Sequence, residues 1–310
     1  MGNPFGRHAA SRSRKKSNKR PLMENPNLAT VTEHDLSEMR LFIERRSGIL
    51  FDESRTRFLS NRVLEHLEHK GLARGADLLR MIRSSNAEYD YLLERLLTQE
   101  TSFFRYPAIY QALEKRVLPE LHTKKFWNNP RSLRIWSAGC STGEEPYSIA
   151  ISLMEALELP EAWNIEILAT DISRNALDIA ERGRYSRRDL AALSPEQMEV
   201  YFTSMRNNEY QVKTRLRSLI TFAQMNLAQM VYMGRFDCIF CMNVLIYFSE
   251  ELRATLIRRF HEYLEPDGYL FLGHAESVAK AKVDLEPIVI NDSLIYRKPM
   301  ASRAAAQETL

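Results

Sequence analysis

Hydrophobic positions recur at three-to-four spacing through roughly residues 33–97, which predicts four helices in series. The first carries Leu36, Met39, Phe42 and Ile43 and stops at Gly48, a residue suited to the left-handed cap after a helix. The second starts near Asp52, buries Leu59, Val63 and Leu67, and runs to Gly71. Two shorter ones follow, with Leu78, Leu79 and Ile82, then Tyr89, Leu92, Leu93 and Leu96. Short connections between such helices make a small helical domain. From about residue 130 the rhythm changes. Residues 133–136, 165–169, 236–242 and 269–273 read as buried strands. Helices over 175–181 and 250–264 lie between them, the second stopped by Glu265-Pro266-Asp267-Gly268, and 285–297 reads as a closing hairpin. Strands alternating with helices predict an α/β fold with a mostly parallel sheet. Residues 210–213 and 219–222 break that alternation and read as short antiparallel strands of an inserted β-subdomain at about 200–224. The expected organisation is a tail over 1–30, a helical domain over 31–97, a linker and connecting helix over 98–130, an α/β domain over 131–298 and a tail over 299–310.

Composition narrows the classes. The 310 residues are 45% hydrophobic and 27% charged, ordinary for one or two globular domains and wrong for a wholly disordered, collagen-like or coiled-coil chain. No apolar run approaches the ~18 residues of a membrane span, so no membrane insertion is expected. The start, MGNPFGRHAASRSRKK, lacks the apolar core of a secretory signal. Cys140, Cys238 and Cys241 cannot build a disulfide framework, which points to the cytoplasm. On a strand, Cys238 and Cys241 would face opposite sides, and no second pair completes a zinc site, so no metal is expected. The net charge of +3 is uneven. Residues 1–20 hold seven basic side chains and no acid, so the remainder is −4. That tail, Ser-rich and without an apolar helix to anchor it, reads as a disordered, solvated extension. The acidic body argues against nucleic acid as a partner.

The chemistry gathers at Ser137-Ala138-Gly139-Cys140-Ser141-Thr142-Gly143-Glu144-Glu145-Pro146, directly after a strand. Its glycines allow a sharp turn and close approach of a ligand. A second strand ends in Asp171, an acid placed to accept hydrogen bonds from ribose hydroxyls. Glu144 and Glu145 stand where a dinucleotide's pyrophosphate would sit, with no Lys or Arg in the turn, and carboxylates repel phosphate. A cationic, phosphate-free nucleoside cofactor fits better, and S-adenosylmethionine (SAM) is one. For one of the two glutamates, complementing the helix dipole is explanation enough.

Five segments, in order, carry a resemblance: TQETSFFR at 98–105, IWSAGCSTGEEPYSIA at 135–150, ATDI at 169–172, FDCIFCMNVLIYF at 236–248 and PDGYLFLGHAES at 266–277. Over roughly 33–298 the chain resembles the CheR-type chemotaxis receptor methyltransferases, SAM-dependent protein-glutamate O-methyltransferases. The resemblance implies a Rossmann-like SAM domain with an N-terminal helical domain and a small inserted antiparallel β-subdomain. It also implies roles. Gln99, Thr101 and Arg105 would cap the cofactor, with Arg105 also facing substrate; Gly139 would form the turn. Glu145 would face the methionine end of SAM and Asp171 the ribose. Asn226 and Leu227 would lie on the adenine side, Met242 and Asn243 near the reaction centre, and Tyr247 at the substrate entrance. Arg105 and Tyr247 are the candidate catalytic residues. Many relatives carry Arg where Met242 stands, which keeps a second reading open, a SAM-binding sensor or scaffold with reduced or lost catalysis. The stretch 205–212 is short and lacks glycine, unlike relatives that tether to a receptor's C-terminal pentapeptide, so the expected partner is the cytoplasmic helical bundle of chemoreceptors without that tether. Arg55, Arg62, His66 and His69 fall on one stripe of the second helix, and the resemblance makes Arg55, Arg62 and His66 candidates for docking the acidic substrate bundle.

Overall fold

The structure, a computed structural model, describes Gly2 and residues 30–128, 131–231 and 233–300. The basic run from Arg7 to Arg20 and the tail beyond residue 300 lie outside the described residues. Four helices come first: α1 (Glu33–Ser47), α2 (Glu53–Lys70), α3 (Gly75–Ser84) and α4 (Asn86–Leu96). Thr32 and Asp35 form a reciprocal capping box before α1, and Asp52 caps α2, satisfying amide groups that no helical partner reaches. A connecting segment leads to α5 (Pro107–Ala112), which passes through a π turn over Leu113–Val117 into α6 (Leu118–Lys125).

The α/β part alternates β1 (Ser132–Ala138), α7 (Glu144–Ala156), β2 (Asn164–Asp171) and α8 (Arg174–Arg182). An excursion of β3 (Arg184–Ser186), α9 (Pro195–Tyr201), β4 (Phe202–Ser204) and β5 (Glu209–Val212) returns through α10 (Thr214–Arg217) to β6 (Ile220–Gln224). Then come β7 (Phe236–Cys241), α11 (Glu250–Tyr263), β8 (Leu264–Leu272) and the hairpin of β9 (Glu286–Ile290) and β10 (Ser293–Arg297). The main sheet has seven strands in the order β6-β2-β1-β7-β8-β10-β9. The first five run parallel, and the hairpin closes the sheet antiparallel. This is the Rossmann-like α/β architecture expected, with the small antiparallel sheet β3-β5-β4 inserted.

Two sequence expectations change. Residues 219–222 do not belong to the small sheet: β6 lies at the edge of the main sheet, parallel to β2, with Ile220 opposite Ile167 and Gln224 opposite Asp171. The small sheet takes Arg184–Ser186 instead, so its strands fall within 184–212 rather than 200–224. A short apolar run carries no mark of which sheet it joins. The helix does end just before residues 265–268, but the next strand starts earlier than the expected residue 269. β8 begins at Leu264 directly after α11, and a register shift against Phe236 and Cys238 absorbs the Pro-Asp-Gly stretch.

Side chains on opposite faces of the sheet enter different cores. Trp136, Ile239, Cys241 and Leu270 pack with residues of α1–α4 and α11. Ile135, Cys238, Phe240 and Phe271 pack with residues of α5–α7 and the small sheet. Cys238 and Cys241 therefore do face opposite sides. Among the described residues no group of three or more His, Cys, Asp and Glu side chains is arranged to hold a metal ion, and no helix is long and apolar enough to cross a membrane. β1 pairs with both β2 and β7, so the chain's winding reverses there. A crevice opens at the carboxyl ends of strands around such a reversal.

Candidate functional site

One wall of the crevice is the turn after β1. Gly139 has φ 92°, and a Cβ there would lie 2.4 Å from Val244 Cγ2. Gly143 has φ 98°, and its Cβ would lie 2.7 Å from Ala180 Cβ. Both positions therefore require glycine, for conformation and for space. The amides of Gly139 and Cys140 donate to the Thr170 carbonyl at 2.8 and 2.9 Å, tying this turn to the end of β2. Asp171 completes the join: its Oδ2 accepts from the Ser141 amide and its Oδ1 from the Ser173 amide, each at 2.8 Å. Burial raises its carboxyl pKa, and those amide bonds oppose the shift.

Glu144 and Glu145, about 100° apart around α7, take different partners. Glu144 accepts from Thr142 Oγ1 at 2.7 Å beside the helix start and stays outside the pocket lining. Glu145 is buried behind the turn and accepts from Ser137 Oγ at 2.7 Å. Burial pushes its carboxyl up to about 7; the Ser137 bond opposes this, the Glu276 charge adds to it, and Arg105 opposes it. A buried acid poised near neutrality binds a cation strongly, because the cation replaces lost solvation.

The roof is the segment before α5. Gln99 Nε2 donates to Ser173 Oγ at 3.1 Å, and Ser173 Oγ donates to Glu94 Oε2 at 2.6 Å. Phe103 is core, edge-on to Tyr185 at 4.9 Å. Arg105 Nη1 donates to the Glu100 carbonyl at 2.6 Å, and the guanidinium lies 5.3 Å from the Tyr106 ring centre.

The opposite wall follows β7. Met242 is buried, and Asn243 adopts φ 62° with its buried Oδ1 lacking a hydrogen-bond partner. The Leu50 amide donates to the Tyr247 carbonyl at 2.7 Å, and the Arg55 guanidinium lies 5.2 Å over the Tyr247 ring. Asn226 works partly for the fold: Oδ1 accepts from the Ala228 amide at 2.9 Å and Nδ2 donates to the Arg46 carbonyl at 3.0 Å.

Gln99, Thr101, Arg105, Gly139, Glu145, Asp171, Asn226, Leu227, Met242, Asn243 and Tyr247 all line this one pocket, and so does Arg55. The docking stripe does not survive as expected. Arg55 turns to the pocket, and Arg62 pairs with Glu65 at 2.8 Å beside it. His66 is fully buried, edge-on to Tyr91 at 5.2 Å, with neither ring nitrogen hydrogen-bonded. Burial, with Lys70 and Arg95 adding, pushes its pKa down to about 4. His66 therefore offers no docking surface. Helical stepping aligned it with the arginines but could not say that Tyr91 of α4 covers that turn. Sequence reasoning also missed Glu276, whose buried carboxylate accepts amides of both Gly273 and the loop after β7. An acid directly beyond the apolar end of β8 was the available signal.

The geometry suits SAM. The buried carboxylate of Glu145, the half-buried one of Asp171, no basic side chain in the turn, and the unpartnered acceptor of Asn243 match a cationic ligand with hydroxyl and ammonium donors. Residues 99–292 match the family model described as CheR methyltransferase, SAM binding domain. The chain is 33% identical over 269 residues to chemotaxis protein methyltransferase 1 of Pseudomonas aeruginosa, covering 85% of this chain and 97% of that protein. It is 34% identical to the chemotaxis protein methyltransferase of Borreliella burgdorferi, covering 80% and 89%. To chemotaxis protein methyltransferase 2 of Vibrio cholerae it is 33% identical, covering 88% and 96%.

Proposed function

The chain belongs to the CheR methyltransferase family, and from that premise we propose that it methylates glutamate side chains on the cytoplasmic helical bundle of chemotaxis receptors. The observation that carries this reading is the juxtaposition, in one pocket, of the acids Glu145 and Asp171 with Arg105 and Tyr247. SAM, when bound, supplies an electrophilic methyl group on a sulfonium. Asp171 holds the ribose, and Glu145, as its carboxylate, holds the ammonium. Arg105 and Tyr247 grip the incoming carboxylate. Arg105 is always charged, so it orients rather than transfers protons. No general base is needed, because a glutamate of pKa near 4.3 is ionised at neutral pH. Catalysis then rests on alignment and on excluding water that would solvate the acceptor, effects worth on the order of 7–11 kcal/mol.

Arg55 at the rim attracts an acidic receptor helix, while Arg62 beside Glu65 contributes less. In the turn before β5, Asn207 and Asn208 supply the left-handed conformations (φ 62° and 58°) that a longer loop would take from glycine. That short turn supports modification without a pentapeptide tether. The buried thiols of Cys140, Cys238 and Cys241 suit the reducing cytoplasm. Met242, apolar in the pocket lining, favours the scaffold as the second reading. The test is incubation with methyl-labelled SAM and receptor-containing membranes, followed by mild base. Label released as methanol is expected, since carboxyl methyl esters hydrolyse. Cofactor binding without any released methanol would contradict methyl transfer and favour the scaffold.

A further inference from the structure

The loop after β7 carries Asn243 and Tyr247 into the pocket, yet its own backbone holds it weakly. Its internal bonds are Tyr247 N–H to Val244 O at 3.2 Å and Phe248 N–H to Leu245 O at 3.1 Å, a single tight turn. The amides of Asn243, Leu245 and Ile246 turn the other way and converge. Successive amides gathered in this manner make a concave anion site. Its occupant belongs to the chain. Glu276 Oε2 accepts from Asn243 N–H at 3.1 Å and Gly273 N–H at 2.7 Å, and Oε1 accepts from Leu245 N–H at 2.7 Å and Ile246 N–H at 3.3 Å.

We propose that Glu276 is the positioning residue of this site: its carboxylate bridges the end of β8 to the loop after β7 and thereby sets Asn243 and Tyr247 against the pocket. The inference rests on reading the pocket as a methyl-transfer site. Glu276 does not line the pocket, so it acts through the loop. Gly273 is part of the device. A Cβ there would lie 2.9 Å from both the Asn243 nitrogen and Glu276 Oε2, so any side chain would push the carboxylate and the loop apart. On its other side the loop is held by the Leu50 amide and by the bridge between Ile49 and Phe248. The loop is thus clamped between the helical part and the end of β8. A glutamine of the same shape keeps one acceptor oxygen but aims an NH2 group at amides that also donate.

The test uses full-length Glu276→Gln and, as an independent route, Gly273→Ala. In Glu276→Gln, hydrogen exchange at residues 243–247 should accelerate at least about tenfold while β1, β2 and α7 keep their protection. Turnover on receptors should fall by about 10²-fold, because small misplacement of reacting groups costs that much, with a smaller loss of S-adenosylhomocysteine (SAH) affinity. Gly273→Ala should change the same amides and the same rate in the same direction. Wild-type protection of 243–247 in both variants would overturn the proposal. So would faster exchange spread over the whole sheet with turnover per folded molecule unchanged, which is what a merely structural acid produces. If the wild-type protein modified no receptor, the functional reading would fail separately, and loop exchange with SAH affinity would still decide the role of Glu276.

Discussion

The two walls of the pocket are turns at the carboxyl ends of neighbouring parallel strands, and they are stiffened in different ways. After β1, the constraint is local and steric. Gly139 and Gly143 admit a bend no other residue fits, and Asp171 of the adjacent strand ties it down. After β7, Asn243 takes a left-handed conformation without being glycine, and the amides beyond it are gathered by Glu276, which follows β8. On the first wall the same acid that ties the backbone also lines the pocket. On the second, the tying acid stays behind the loop and other residues line the pocket. On the reading proposed above, the first wall serves the ribose and ammonium of the cofactor, while Tyr247 on the second meets the acceptor.

Breaking the first wall should have the largest effect. Asp171→Ala removes the proposed ribose acceptor and the partner of two backbone amides, each bond to a charged acceptor being worth roughly 1.5–3 kcal/mol. SAH affinity measured by calorimetry should fall by about 10²-fold or more. Near-wild-type affinity would remove Asp171 from the site.

A smaller, pH-graded effect sharpens the same comparison. The pKa of Glu145 is raised from 4.5 to about 7, chiefly by burial. In the ligand-free protein its contribution to stability is therefore full below about 4.5 and is lost as pH rises through about 7. A cationic ligand has the opposite preference, because it needs the carboxylate. SAH affinity should rise between pH 5.5 and 7.5, by at most about tenfold per unit, with proton release on binding at the acidic end. Glu145→Gln should bind more weakly at pH 7.5 and show a flatter profile. An equally steep profile in the variant would assign the proton elsewhere.

These contrasts also mark what the sequence could reveal. The glycine turn and each single strand or helix are short-range patterns, legible from a dozen residues or so, and their alternation is the sum of such local readings. The roof segment around Arg105 was legible only by resemblance, since nothing local says that 98–105 folds over a strand end. Three features depended on distant neighbours. Residues 219–222 look alike in either sheet, and only pairing with β2 decides. His66 shares a stripe with Arg62, but Tyr91 covers it. Glu276 is thirty-one residues from one of the amides it binds, Leu245. In each case the deciding contact is tertiary.

The most direct test of the central claim, that one pocket joins cofactor and acceptor glutamate through Arg105, compares wild type with Arg105→Ala. Base-released methanol from labelled receptors and SAH affinity would be measured on the same preparations. The account predicts that methanol release falls by about 10²-fold, because the acceptor carboxylate loses its alignment with the methyl group, while SAH affinity changes far less. Equal methanol release from the two proteins would contradict it.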